Sequence, residues 1–216
     1  MSTFIALSML VMFLFVVFMK MQQNSRLSYI NAYRFHPAIK AKLKRKYPDL
    51  GDTELDLVFQ SLRDYFFICN KAQKKMVSMP SQIVDDAWHE FILFTRSYQQ
   101  FCQKALGRFL HHTPAEAMAT STFAQDGIKR AWRLACMKEG INPKAPTRLP
   151  MLFSLDKQLA IAGGFTYNLD CLLAGNQSFC ASHIGCGGGC SSGCGGDSSS
   201  DGGGDGCGGG GCGGGD

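Results

Sequence analysis

Between residues 185 and 216 the chain has no Lys, no Arg, no aromatic and no aliphatic side chain; only Gly, Cys, Ser and Asp occur. A segment without apolar groups other than Cys cannot bury a core that offsets the entropy of ordering it. That excludes a second folded domain there and predicts a disordered, flexible tail over residues 176–216. Eighteen of the last 32 residues are Gly and five are Cys, and each of these five (Cys186, Cys190, Cys194, Cys207, Cys212) follows a Gly. Random-coil scaling gives such a tail a root-mean-square span of roughly 30 Å.

Three other absences narrow the reading. No Lys or Arg precedes the apolar run of residues 4–19, FIALSMLVMFLFVVFM, and Met19-Lys20-Met21 offers no small-residue cleavage site. A cleaved secretory leader needs both marks. The run itself has no charge. It lacks the polar face of a core helix, and it approaches the roughly 17–25 residues that cross a bilayer. Residues 1–20 are therefore expected to form a transmembrane anchor. No acid occurs between Met21 and Pro48, whereas Lys20, Arg26, Arg34, Lys40, Lys42, Lys44, Arg45 and Lys46 all lie on this side of the run. Flanking positive charge orients a membrane helix, so the N-terminus is expected outside and the body and tail in the cytoplasm. Residues 21–50 then read as a basic juxtamembrane segment, with Lys40, Lys42, Lys44, Arg45 and Lys46 lying on anionic lipid. A solvated helix face is the alternative for that run. The net charge is +5, and the tail holds four Asp without a cation, so the remainder carries +9. Nucleic acid would also suit such a body, but beside a membrane lipid is the simpler partner, and no specific nucleic acid is expected.

No stretch alternates apolar and polar residues as a strand would. The remainder is long enough for one domain with a real core, and its 16 Phe suit dense packing. From residue 52 the apolar positions Leu55, Val58, Phe59, Leu62, Tyr65, Phe66 and Cys69 recur at helical spacing. Pro80-Ser81 starts a second helix whose stripe is Val84, Ala87, Trp88, Phe91, Tyr98, Phe101 and Ala105, running to a stop at Gly107. A third, over residues 115–139, turns Phe123, Ile128, Ala131, Trp132 and Ala135 inward and ends at Gly140. A short fourth covers residues 152–161 before Gly163-Gly164. The fold class is all-α: an N-terminal transmembrane helix, a helical bundle over residues 51–175 and the disordered Gly/Cys-rich tail.

Within the second helix, Asp85 and His89 are four residues apart and share a face, Asp86 and Glu90 share the next, and His111 and His112 follow the helix end. A His with carboxylates at this spacing can bind a metal or shuttle protons. The two-His zinc helix has a second His four residues away, which this segment lacks. The competing reading is structural: His89 hydrogen-bonds within the bundle, for instance to Asp85, and Trp88 anchors the core. The enzyme reading takes Asp85, His89, Glu90, His111 and His112 as the candidate acid–base or metal centre. It requires their convergence in a solvent-reachable cleft.

The motif Val84-Asp85-x-x-Trp88-His89, followed by Arg96-Ser97-Tyr98, Phe101-Cys102 and residues 107–112 (GRFLHH), resembles bacterial members of the glycine-rich domain-containing protein family. The likeness extends through Trp132-Arg133-Leu134-Ala135-Cys136 to Gly163-Gly164-Phe165 and Leu169-Asp170-Cys171. The resemblance implies a domain of unassigned chemistry joined to a glycine-rich tail. With the anchor and its flanking charge, the likeness to bacterial members sets the expected location as a bacterial inner (cytoplasmic) membrane. Plant members are associated with stress and developmental responses, and some carry an RNA-binding-like motif that has no counterpart in this chain.

A cytosolic setting keeps thiols reduced, so ten Cys point to metal or redox chemistry before disulfides. Cys180-x2-His183-x2-Cys186-x3-Cys190-x3-Cys194, with Cys207 and Cys212 beyond, is dense in soft ligands. Zinc, copper(I) or an iron–sulfur cluster would suit them, although the spacing follows no standard finger, ribbon or ferredoxin. Two further readings stand beside this one. The tail is a plain linker, or a precursor whose Gly-Cys pairs are cyclised to azoles. The function expected is a membrane-tethered helical protein that engages a protein partner or handles metal. The alternatives are an enzyme centred on Asp85 and the histidines, or a modified precursor.

Overall fold

The computed structural model describes residues 2–112, 121–169 and 179–180. Seven helices occur among them: α1 (Ser2–Ala32), α2 (Pro37–Lys46), α3 (Asp52–Ala72), α4 (Gln82–Ile92), α5 (Thr95–Leu106), α6 (Ser121–Glu139) and α7 (Met151–Gln158). Two-residue strands β1 (Tyr167–Asn168) and β2 (Phe179–Cys180) pair in parallel, Tyr167 opposite Phe179. The described domain is helical, as expected. The expected tail of residues 176–216 lies outside the described residues except for β2, as does the start of the expected helix over residues 115–139.

α1 does two jobs in one rod. Its first turns, from Phe4 to Met19, expose apolar side chains all round. Its last turns pack into the domain, where Ile30 is fully buried and Tyr29 stacks at 6.0 Å on Phe101. The stretch Thr3–Ala32 is long and apolar enough to cross a membrane. By length and composition a signal sequence passes the same test. The segment 21–50, expected as separate from the bundle, instead contributes Ile30, Ile39, Leu43 and Leu50 to its core. A kink at residues 33–36 lets α2 fold back. Pro37 opens α2, and His36 Nδ1 accepts a hydrogen bond from the Ala38 N–H at 3.2 Å.

α3 is the hub, with the other helices packed round it. Its stripe Leu55, Val58, Phe59, Leu62, Tyr65, Phe66 and Cys69 is buried throughout. Glu54 reaches back to accept from the Gly51 N–H at 2.6 Å, closing the helix start. α3 and α5 both run antiparallel to α1. Phe35 meets Phe59 at 5.2 Å and Arg63 donates to the Tyr33 carbonyl at 3.2 Å. At the other end Asn70 donates to the Ala105 carbonyl at 2.8 Å and Arg26 to the Leu106 carbonyl at 3.4 Å. The C-terminal ends of α3 and α5 thus lie toward the apolar half of α1.

The single helix expected from residue 80 to Gly107 is two. Leu93 keeps helical angles but Phe94 departs from them (φ −84°, ψ 61°), and α5 restarts at Thr95. In one straight helix Trp88 and Tyr98 would stand about 15 Å apart along the axis. The break brings them together, and the Trp88 indole N–H donates to the Tyr98 hydroxyl at 3.1 Å. The stripe itself is buried as expected, because both halves still turn toward α3. Gly107 ends α5 in the left-handed region (φ +69°), where a Cβ would also lie 2.5 Å from the Arg26 guanidinium. The expected helix over residues 152–161 is shorter, Met151–Gln158, and its Asp156 is drawn into the core.

Cys69, Cys102 and Cys136 are free thiols buried in this core. Burial pushes the Cys69 thiol up to about 12 and Cys136 to about 11. The folded state therefore holds these protons above the ordinary thiol range while the unfolded chain releases them. Stability is full below that range and falls as pH rises toward the folded values. Thermal unfolding is expected to shift down steadily above about pH 9, and less steeply in Cys69→Ala. Equal slopes for the two proteins would contradict a role for this thiol.

Candidate metal centre

α4 begins at Ser81, whose hydroxyl accepts from the Val84 N–H at 3.4 Å. The cap sets the helix phase so that Ile83, Val84, Ala87, Trp88 and Phe91 face inward. Asp85 and His89 then share the flank between core and solvent. A second restraint comes from α5. The Tyr98 hydroxyl, which accepts from Trp88, donates onward to the Leu110 carbonyl. Burial raises the Tyr98 pKa, so the phenol keeps this proton. The loop after α5 is thereby fastened to α4, and His112 arrives beside Asp85.

The resulting geometry is compact. His112 Nε2 lies 2.9 Å from Asp85 Oδ1, and His89 Nδ1 lies 3.6 Å from Asp85 Oδ2. The two imidazole rings meet at 4.2 Å, and one ligand atom from each of Asp85, His89 and His112 lies within 4.8 Å of the others. Around a tetrahedral ion with metal–ligand bonds of about 2.0–2.1 Å, donor atoms stand roughly 3.3 Å apart. Small rotations of these side chains reach that spacing. The site has a closed and an open side. His112 and Asp85 are 13% and 20% exposed, with the Trp88 ring against His112 at 4.6 Å, whereas His89 is 47% exposed. One carboxylate and two imidazoles with a solvent-facing side form a donor set suited to zinc or another divalent transition ion.

The structure divides the residues expected at this site. Asp85, His89 and His112 converge. His111 turns onto Phe109 at 4.8 Å, and Glu90 pairs with Lys42 at 2.6 Å, so neither joins them. The expected pairing of His89 with Asp85 is present as a 3.6 Å contact, but not inside the bundle. His89 is exposed, and the hydrogen-bond partner of Asp85 is His112. Trp88 is the core anchor expected, 3% exposed.

The basic run of α2 is not the free lipid-facing surface expected. Lys40 pairs with Asp56 at 2.7 Å and Asp52 at 3.4 Å, Lys42 with Glu90, and Lys46 with Asp86 at 2.7 Å. Lys44 donates to the Pro48 carbonyl at 2.9 Å and to that of Leu50, leaving Arg45 outside these pairs. These carboxylates sit 12 to 48 positions from their partners in sequence, so nothing within the run signals them. Of the tail ligands, only the backbone of Cys180 is described, in β2. His183, Cys186, Cys190, Cys194, Cys207 and Cys212 lie outside the described residues.

Sequence reading missed Asp156. Buried to 3% exposure, its carboxylate accepts from the Ser81 hydroxyl at 2.6 Å and from the N–H groups of Gln82 at 2.7 Å, Ile83 at 3.4 Å and Phe165 at 2.9 Å. It seals the N-terminus of the helix that carries Asp85 and His89. Gly164 allows the chain to pass, since a Cβ there would lie 2.8 Å from Asp156 Cβ. The Gly163-Gly164 pair was the one local sign of a close approach.

No curated protein and no solved structure matches the chain. A family model described as UCP032817-like matches residues 25–188. That span takes in the buried half of α1, the whole bundle and the Asp85–His89–His112 cluster, and the chain belongs to the UCP032817-like family.

Proposed function

We propose that this chain is a membrane-tethered helical protein that holds a divalent transition metal, of the zinc class, on Asp85, His89 and His112. The convergence of those three side chains, with donor atoms within 4.8 Å, carries the reading. Three protein ligands with one side open are how metal sites leave room for an exchangeable fourth ligand. Here that ligand is water, a substrate or a thiolate. The tether is α1, with the domain on the cytoplasmic side of a bacterial inner membrane. The resemblance to glycine-rich domain-containing proteins supports the pairing of this domain with a thiol-rich tail. In this reading Cys180, His183, Cys186, Cys190, Cys194, Cys207 and Cys212 are soft ligands on a flexible lead, able to collect metal and pass it to the fixed site.

A second reading places an enzyme on the same three ligands. The open side at His89 favours it, because a metal-bound water there would be reachable by substrate and lowered in pKa by the ion. The two readings share the metal and differ in turnover.

The test is a cobalt(II) titration of the full chain, purified in mild detergent under reducing conditions. One ion per chain is expected with a nitrogen/oxygen-type spectrum. It should persist when the five tail cysteines become Ser and disappear in Asp85→Asn. A spectrum dominated by thiolate charge transfer and lost with the tail cysteines would overturn the Asp85 site and assign the metal to the tail. A mass deficit of one water and two hydrogens per Cys in protein from native cells would mark the tail as an azole precursor.

A further inference from the structure

The domain has a second basic surface, and it faces the other way from α2. Because α3 and α5 run antiparallel to α1, their C-terminal ends return toward the apolar half of that helix. They bring Lys71, Lys74 and Lys75 from the end of α3, and Lys104 and Arg108 from the end of α5, round Arg26 of α1. The placement is tied by contacts. Arg26 donates to the Leu106 carbonyl at 3.4 Å, Arg108 donates to the Gln73 carbonyl, and Lys104 lies 5.8 Å from the Tyr29 ring. Phe109, 40% exposed, follows Arg108 in the chain, with its ring against Tyr98 at 5.4 Å and His111 at 4.8 Å.

None of these six cations meets a carboxylate among the described residues, in contrast to Lys40, Lys42 and Lys46. The sequence explains why: no acid occurs over residues 65–84 or 91–115. α6 carries one exposed acid, Asp126, to the same side, next to the Gly127 that abuts Ser78.

The height of this surface follows from helix geometry. Arg26 is six residues beyond Lys20, about 9 Å along α1. The polar layer of a bilayer is roughly 5–8 Å deep on each side of its hydrocarbon. When residues 4–19 occupy the hydrocarbon, Arg26 stands a few ångströms outside that layer, within a Debye length of the headgroups, and the chain ends after α3 and α5 run on from its level toward them. Of the α2 cations, Lys40 is held at the start of α3, the end opposite to this surface, by Asp52 and Asp56, and Lys42 and Lys46 are paired with Glu90 and Asp86 of α4.

We propose that this end of the bundle, Arg26, Lys71, Lys74, Lys75, Lys104 and Arg108, rests on the headgroups of an anionic bilayer. The proposal rests on α1 being the membrane tether. α1 is continuous from the apolar run into the core, so the tether and the contact would act as one rigid mount. The orientation of the domain, and with it the position of the open side at His89, would then be fixed relative to the membrane.

The experiment is hydrogen exchange on the full chain in nanodiscs of phosphatidylcholine alone and of an equimolar mixture with phosphatidylglycerol. Amides of residues 73–76 and 107–109 are expected to exchange at least about threefold more slowly in the anionic discs. The effect should vanish at high salt and in Lys74→Gln/Lys75→Gln/Lys104→Gln, and it should survive in Arg45→Gln. Protection of residues 4–19 in both discs, with no dependence on lipid charge at residues 73–76 and 107–109, would overturn the contact and leave the tether standing. Failure of the chain to enter either disc would overturn the tether and the contact together.

Discussion

Replacing Asp156 by Ala is expected to cost the domain about 3–5 kcal/mol, a large part of the roughly 5–15 kcal/mol that holds a domain of this size together. The carboxylate is 3% exposed and accepts four hydrogen bonds, from Ser81, Gln82, Ile83 and Phe165. Gln82 and Ile83 belong to the first turn of α4, whose N–H groups have no partner within the helix. Their dipoles add to the attraction for a negative charge. Ala leaves these donors buried and unpaired, each at about 1–3 kcal/mol with part recovered by relaxation and water. Asn keeps the shape and one acceptor oxygen, so Asp156→Asn should fall between wild type and Ala. Gly164→Ala strains the same contact through a Cβ 2.8 Å from Asp156 Cβ, and its effect should not add to that of Asp156→Ala. Denaturant unfolding of the full chain in detergent measures all three. A loss below about 1 kcal/mol for Asp156→Ala would show that α4 is held by its apolar stripe alone.

Asp85→Asn is expected to lower the affinity of the site for cobalt or zinc by at least about 100-fold, as loss of the one charged ligand should exceed the 10–100-fold typical of an outer-shell partner. His112→Ala should act comparably, because His112 is the enclosed imidazole and Trp88 leaves little room for a replacement water. His89→Ala should cost less, since His89 is 47% exposed and water can take its place. Tyr98→Phe separates positioning from ligation. It removes the hydroxyl that joins the Trp88 indole to the Leu110 carbonyl while leaving every ligand intact. An affinity loss of about 10-fold or more is expected from the unfastened loop. Trp88 supplies a reporter, because its ring lies 4.6 Å from His112. Cobalt binding should quench its emission in a Trp132→Phe background. Quenching absent at full metal occupancy would place the ion elsewhere. Binding should also weaken in acid, because an imidazole must be unprotonated to ligate.

The reach of sequence reading differs from residue to residue. The buried stripes of α3 and of α4 with α5 were legible position by position, because apolar spacing of three and four encodes a helix face. Two of the three proposed ligands, Asp85 and His89, were legible as an i, i+4 pair. His112 was named as a candidate, but its partnership with Asp85 spans 27 residues. It depends on a break at Phe94 that no Gly or Pro announces. Asp156 left no trace beyond the nearby glycine pair, since three of its four partners lie 73 to 75 residues away at the start of α4. The basic run of α2 was legible as charge, and its neutralisation was not.

The sequence by itself therefore determined what depends on local period and composition: a helical domain, one apolar helix long enough to cross a membrane, and a tail without the side chains to build a core. The tertiary structure alone decided which charges are spent and which are free. Ion pairs, ligand clusters and helix caps form between groups far apart in the chain, so they follow from the directions in which α2, α3 and α5 return along α1. That same return carries the acid-free ends of α3 and α5 toward the apolar half of α1, while Lys40, Lys42 and Lys46 of α2 meet acids of α3 and α4.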